Sequence, residues 1–169
     1  ASSTGEPMGQ NKYTKVLAHI GFKNDYSGTY SGKGVITQQG TTYTTEITST
    51  LLYAINNNVC YMFVGEKTRA NTQDYLNYVV EIERNEWGGI VLSSNVEGLQ
   101  FKPYSAKLSR KYTYNYNDQR YYTEITTIEL AYEYLDSTQG EPLMMSFEGT
   151  FSMSRDVLRV EYPDVDVEE

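Results

Sequence analysis

The stretch Ala106-Lys107-Leu108-Ser109-Arg110-Lys111-Tyr112-Thr113-Tyr114-Asn115-Tyr116 alternates residue by residue. Ala106, Leu108, Tyr112, Tyr114 and Tyr116 fall on one face, and Ser105, Lys107, Ser109, Lys111 and Thr113 on the other. A period of two marks a strand with one buried side. After a turn near Asp118-Gln119-Arg120 the pattern resumes with Tyr122, Ile128, Leu130, Tyr132 and Tyr134. A three-residue loop would set Tyr116 opposite Tyr122 and Leu108 opposite Leu130. That pairing joins two apolar faces, which is what fixes register.

The same alternation extends in both directions. Leu143, Met145, Phe147, Phe151 and Met153 share a face downstream, and Val157 to Tyr162 is expected to close the fold. Upstream, a short first strand or helical turn is expected over Tyr13 to Ile20, then a Gly-rich strand over Tyr30 to Thr37. Gly32 and Gly34 in that strand predict bending or close packing. Thr44 to Ile55 is expected to carry Ile47, Leu51, Tyr53 and Ile55 on one face. Asn56-Asn57-Asn58 turns the chain into Val59 to Val64. Gly65 to Asp74 reads as a polar loop, Tyr75 to Arg84 as a strand with Leu76, Tyr78, Val80 and Ile82 aligned, and Asn85 to Gly89 as a turn. Ile90 to Ser93 and a short piece near Leu99 to Phe101 follow.

No helix is predicted, and nothing has the strand–helix rhythm of a parallel sheet. The expected fold is all-β: an antiparallel meander of 8–10 strands closed into a barrel, which removes its edges. A β-sandwich is the alternative. Residues 1–12 read as a flexible tether, 13–162 as one barrel domain, and 163–169 as a loose acidic tail.

Composition narrows function by exclusion. The chain holds 17 tyrosines against 5 phenylalanines and one tryptophan. Tyrosine supplies apolar area with a polar tip, so it serves core and surface alike. A formal charge of −8 without a basic stripe argues against nucleic acid as a partner. No stretch is long and apolar enough to span a bilayer as a helix. The single cysteine, Cys60, lies in an apolar run and reads as a buried thiol rather than a nucleophile. His19 is the sole histidine. With one His and one Cys, neither a zinc site nor any other cofactor is expected.

Tyr26-Ser27-Gly28-Thr29-Tyr30 resembles the opening of lipocalin-like, or calycin-like, barrels. Gly28-Thr29-Tyr30 has the spacing of their G-x-W motif, with Tyr in place of Trp. In that family a late arginine packs over the aromatic ring, a role that Arg155 or Arg159 would fill. The acidic, Tyr/Asn/Thr-rich style also resembles secreted lipoproteins of the Bacteroidota. The resemblance implies an exported barrel of binding or assembly function, periplasmic or held at the outer membrane or cell surface. A lipid-anchor cysteine upstream would hold it there.

Candidate chemistry is sparse. Glu81 with Glu83, and Glu129 with Glu133, project as pairs from single strands. Neighbouring same-face positions lie about 6.5–7 Å apart, within range of a glycosidase pair. Both pairs oppose the apolar residues, so a solvated outer face explains them as well. The tail Asp164 to Glu169 lacks the bend of a calcium loop. Trp87, flanked by Asn85 and Glu86, is either a sugar platform at a hairpin tip or a ring folded over the core. Tyr112, Tyr114, Tyr116, Tyr121 and Tyr122 cluster at one hairpin end, as core, cavity lining or interface patch. Arg110 shares their face, and a charge there needs a partner. The expectation is a non-enzymatic accessory protein that docks another protein or a polysaccharide through this hairpin. A barrel carrying a small apolar ligand and a carboxylate-based hydrolase are the alternatives.

Overall fold

The computed structural model describes residues 23–168. The tether expected at 1–12, the strand expected at Tyr13–Ile20 and His19 all lie outside these residues.

Eight strands form the meander: β1 (Gly28–Gln38), β2 (Thr44–Ala54), β3 (Val59–Phe63), β4 (Val79–Arg84), β5 (Ile90–Ser93), β6 (Lys102–Tyr114), β7 (Tyr121–Asp136) and β8 (Leu143–Leu158). A ninth, β9 (Val167–Glu168), lies parallel to β6, so the sheet is mixed. The order is β5-β4-β3-β2-β1-β8-β7-β6-β9. Long strands β1, β2, β6, β7 and β8 make one wall, and the short β3, β4 and β5 make the other.

The expected closed barrel is corrected. β5 and β6 are neighbours in space but share no hydrogen-bonded ladder. β5 is only four residues long, and a 3₁₀ turn (Glu97–Leu99) carries the chain to β6 with Leu99 plugged into the core. The two walls face each other across one apolar layer, an arrangement consistent with the sandwich alternative. The tail is corrected as well. Instead of lying loose, Val167 and Glu168 pair with Tyr112 and Thr113, and Lys111 Nζ holds Glu168 Oε2 at 3.1 Å. An open sheet leaves β6 with an unpaired edge, and the tail covers part of it.

Alternation predicted the core well. Ile128, Leu130, Tyr132 and Tyr134 of β7, Phe147 and Phe151 of β8, and Tyr30 and Ile36 of β1 are buried. Met62, Val80, Ile82 and Leu92 meet them from the short wall. The β6–β7 register differs from expectation by two residues: Leu108 pairs with Ile128, and Tyr114 with Tyr122. A slip of two keeps every side chain on its face.

Two segments depart from the expected phase. The β1–β2 ladder shifts between Ser31 and Gly34, so Thr50 opposes Tyr30 while Ile47 opposes Gly34. That extra residue in β1 resets the phase of β2. Leu52 is therefore buried, whereas Leu51 and Ile55 are exposed. In the second, Thr72–Asn77 forms a short helix α1 where strand was expected to begin at Tyr75. Asn71 caps it by accepting from the Gln73 N–H, and the Asp74 carboxylate accepts from the Thr68 N–H. Leu76 is left exposed, and β4 starts only at Val79.

Candidate functional site

Up-and-down connection sends the β2–β3, β4–β5 and β6–β7 turns to the same end of the sheet. The start of β1 and the end of β8 arrive there too. Asparagines shape all of these connections. Asn56 Oδ1 accepts from Asn58 N and Val59 N, and Asn85 Oδ1 from Trp87 N and Gly89 N. Asn115 Oδ1 accepts from Asn117 N and Asp118 N, and Asn24 Oδ1 from Tyr26 N and Ser27 N. A short amide that bonds the backbone two or three residues on is a ready turn former.

This end gathers the binding residues expected from the sequence: Trp87, Arg110 and the tyrosines of the β6–β7 hairpin. Trp87 is 92% exposed at the β4–β5 tip, so the reading of a ring folded over core is overturned. Tyr116 is 84% exposed at the β6–β7 tip. Tyr114, partly exposed, and Tyr122 share the Arg159 guanidinium, which lies 5.1 and 4.7 Å from their ring centroids. Arg120 lies over Tyr121. Tyr112 points inward and donates to Glu124 Oε2 at 2.8 Å.

Beneath the aromatics lies a charged layer. Asp25 Oδ2 accepts from Arg84 Nη1 at 2.8 Å and from Arg110 Nη1 at 3.0 Å. Arg110 Nη2 also reaches the Asp25 carbonyl at 3.3 Å. Arg110 thus has the partner its inward position demanded. Glu124, wholly buried, accepts from Arg155 Nε at 2.6 Å. Burial works to raise the Asp25 carboxyl, but hydrogen bonds from Arg110 and Arg84 outweigh it and hold it below its ordinary value. Burial, with the Glu124 hydrogen bond, pushes the Tyr112 hydroxyl up to about 12. Tyr30, the aromatic of the lipocalin-like motif, is buried and donates to the Tyr26 carbonyl at 2.7 Å. Arg155 is engaged by Glu124 and Arg159 by Tyr114 and Tyr122, so neither fills the lipocalin role.

Two hollows open at this end. One of about 540 Å³ is lined by Lys23, Asn24, Asp25, Asn57, Arg84, Arg155 and Tyr162. The other, about 640 Å³, is lined by Asn58, Glu83, Arg84, Asn85, Glu86 and Gly88, in the turn that carries Trp87. Arg84 belongs to both. Such linings offer planar amide, guanidinium and carboxylate groups, suited to fixing a polyhydroxylated ligand by hydrogen bonds.

Sequence reading missed Asp25, Arg84 and Glu124. For Glu124 the signal was present: it shares parity with Tyr122 and Ile128, as Arg110 does with Leu108. Of the paired carboxylates, Glu83 lines the second hollow without Glu81. Glu129 lies on the outer face beside Lys107 Nζ at 3.6 Å, both side chains at least half exposed. Cys60 is buried, and burial pushes its thiol up, the opposite of what a nucleophile needs. A second aromatic cluster on the outer face of β2 and β3 joins Tyr53, Tyr61, Phe63 and Tyr75. Its ring faces are taken by one another and by Arg69, which lies over Tyr53. Among the described residues no helix is long and apolar enough to cross a membrane.

Several solved structures share this fold. A multidomain protein including DUF1735 from Bacteroides ovatus superimposes with a TM-score of 0.69 at 18% identity, over 85% of this chain and 62% of that one. An auxiliary nutrient binding protein from Bacteroides thetaiotaomicron gives 0.68 at 19% identity, over 84% of this chain and 50% of that one. A protein of unknown function from Bacteroides ovatus gives 0.69 at 20% identity, over 85% and 50%. The chain thus spans roughly half to three-fifths of the length of these structures. No curated protein matches it. Residues 14–152, most of the chain, match the model of a domain family described as "-like, C-terminal", and the chain belongs to that family of C-terminal domains.

Proposed function

We propose that this domain is a non-enzymatic accessory module of an exported protein, and that it holds an oligosaccharide chain at the turn end of its sheet. The carrying observation is the nearly complete exposure of Trp87 on the end that also presents Tyr114 and Tyr116. An indole this exposed gains almost no burial from folding, which leaves its ring face open to a ligand. Flat apolar ring faces at the same end as amide- and guanidinium-lined hollows suit sugar rings, whose axial C–H faces stack and whose hydroxyls need hydrogen-bonding partners. The fold likeness to a protein described as an auxiliary nutrient binding protein agrees with this reading. The core interior is occupied by Tyr26, Tyr30, Tyr132, Tyr134 and Phe151, which favours a surface ligand over an apolar one held inside.

The test is a glycan-array screen followed by calorimetric titration of the best binder. Replacing Trp87→Ala together with Tyr116→Ala should weaken binding at least about tenfold, a loss of about 1.4 kcal/mol, with an unchanged thermal melt. A wild-type chain that binds no glycan, or a double variant of full affinity, would overturn the proposal. Capture of a protein by the same surface would replace it with the docking alternative.

A further inference from the structure

We infer that the hollow at the start of β1 is an oxyanion site, so that the glycan taken at this end is acidic: a sugar bearing a carboxylate or a sulfate. The inference rests on the oligosaccharide reading above and names its chemical class.

The chain as a whole is acidic, with a formal charge of −8, yet this hollow is lined by Lys23, Arg84 and Arg155 against Asp25 alone. Behind the lining, Arg110 and Glu124 offset each other, so the local excess of positive charge persists. The guanidinium groups are not used up by their structural partners. Each has five N–H donors in a planar fork. Among the described residues, Arg84 commits Nη1 to Asp25, and Arg155 commits Nε to Glu124. Among the described residues, Arg84 Nε and Nη2 and both Arg155 Nη groups have no hydrogen-bond partner, and both side chains line the hollow. Lys23 is exposed and forms no ion pair among the described residues.

The layer behind also holds the forks in place. Arg84 is pinned by Asp25 and lies 5.2 Å from the Tyr26 ring centroid, and Arg155 is pinned by a wholly buried carboxylate. Pinned guanidinium groups with spare parallel donors bind an oxyanion with little ordering cost. A cation cluster kept only for folding would be matched by acids on its own side. Within the hollow Asp25 answers only one of the three cations, and the other acids nearby lie outside it: Glu124 beneath, and Glu83 and Glu86 in the neighbouring hollow. Those two glutamates suit sugar hydroxyls, which donate to carboxylates. A single acidic group set between Lys23, Arg84 and Arg155, with the rest of the chain running toward Trp87, satisfies both hollows.

Titration of the chain with four probes tests this. They are trigalacturonate, its methyl ester, a sulfated galactose oligosaccharide, and inorganic sulfate. An acid that binds at least about tenfold more tightly than its ester, with the gap narrowing as salt rises, supports the inference. Lys23→Glu should abolish that gap. This side chain is exposed and unpaired among the described residues, so the fold is not at risk. Arg84→Gln should act in the same direction, with a thermal melt to exclude unfolding. Tight binding of the sulfated probe in place of trigalacturonate would keep the site and name sulfate as its anion. Acid and ester of equal affinity, unmoved by Lys23→Glu, would overturn the inference and leave the glycan reading standing. Inorganic sulfate bound through Lys23 with no glycan bound would keep the oxyanion site and remove the glycan reading. No binding by any probe would remove both.

Discussion

Glu124 and Arg155 are register partners across β7 and β8, and their side chains meet at 2.6 Å between Oε1 and Nε with the carboxylate shut off from solvent. A buried carboxylate is tolerated only while it is paired. Arg155→Ala removes one partner and leaves Tyr112 as the other. The expected loss is about 3 kcal/mol, the low end for a broken buried pair, because Arg155 keeps one side toward water. Replacing both residues by leucine should recover most of that loss. Urea unfolding measures each variant. A single variant as stable as the parent would show that Glu124 is not held by Arg155.

How much of this was legible in advance follows from parity. Alternation located Leu108, Ile128, Leu130, Phe147 and Phe151 because burial along a strand repeats every second residue. It left the β6–β7 register open by two, since a slip of two preserves every face. It failed in β2, where a bulge in the partner strand resets the phase, a change that the β2 sequence itself does not carry. The barrel expectation failed at β5, which forms its ladder with β4 alone and leads to β6 through the 3₁₀ turn Glu97–Leu99. At the site, Trp87 and the Tyr114–Tyr116 hairpin were visible as residues. Their meeting at one end follows from up-and-down topology. Asp25 lies in a turn, where no period exposes it; Arg84 shares parity with Val80 and Ile82 in β4, but only the fold joins it to Asp25.

Gly34 and Gly149 are cross-strand partners in β1 and β8, and the parallel rings of Phe147 and Phe151 lie over them. A Cβ on Gly149 would fall 2.6 Å from the Phe151 ring, and one on Gly34 would fall 2.8 Å from both rings. Alanine normally improves a strand relative to glycine. Here Gly149→Ala should destabilise by about 1–3 kcal/mol through overpacking. A midpoint in urea equal to or above the parent's would contradict the packing described. The bending or close packing expected at Gly32 and Gly34 is thus met by aromatic rings against Gly34, next to the register shift between Ser31 and Gly34.

Asp25 couples the charged layer to pH. Its folded-state carboxyl lies below its ordinary value because Arg110 and Arg84 stabilise the charged form. A group with a depressed folded pKa contributes stability above its unfolded value, and that contribution fades as pH falls through the folded one. Stability should therefore drop as the medium is taken below about pH 4, the unfolded aspartate value. Asp25→Asn should be less stable than the parent at neutral pH and should lose less over the same acid range. Chemical denaturation at a series of pH values checks this. Parallel acid profiles for parent and variant would detach Asp25 from the effect.

The aromatics at the turn end should separate binding from folding. Trp87 and Tyr116 have almost no packing to lose, so Trp87→Ala and Tyr116→Ser should each shift stability by no more than about 0.5 kcal/mol. Tyr114 differs: it stacks beneath Arg159 and lies 6.1 Å from the Tyr122 ring centroid. Tyr114→Ser forfeits a cation–π contact and part of an aromatic pair, a cost of about 1 kcal/mol. Tyr132→Ala, in the core against Phe101 and Phe147, should cost about 3–5 kcal/mol. Thermal melts of the four variants should therefore rank Tyr132 far below Tyr114, with Trp87 and Tyr116 level with the parent. A Trp87→Ala variant that melts like Tyr132→Ala would place the indole inside the fold and deprive the proposed sugar platform of its principal ring.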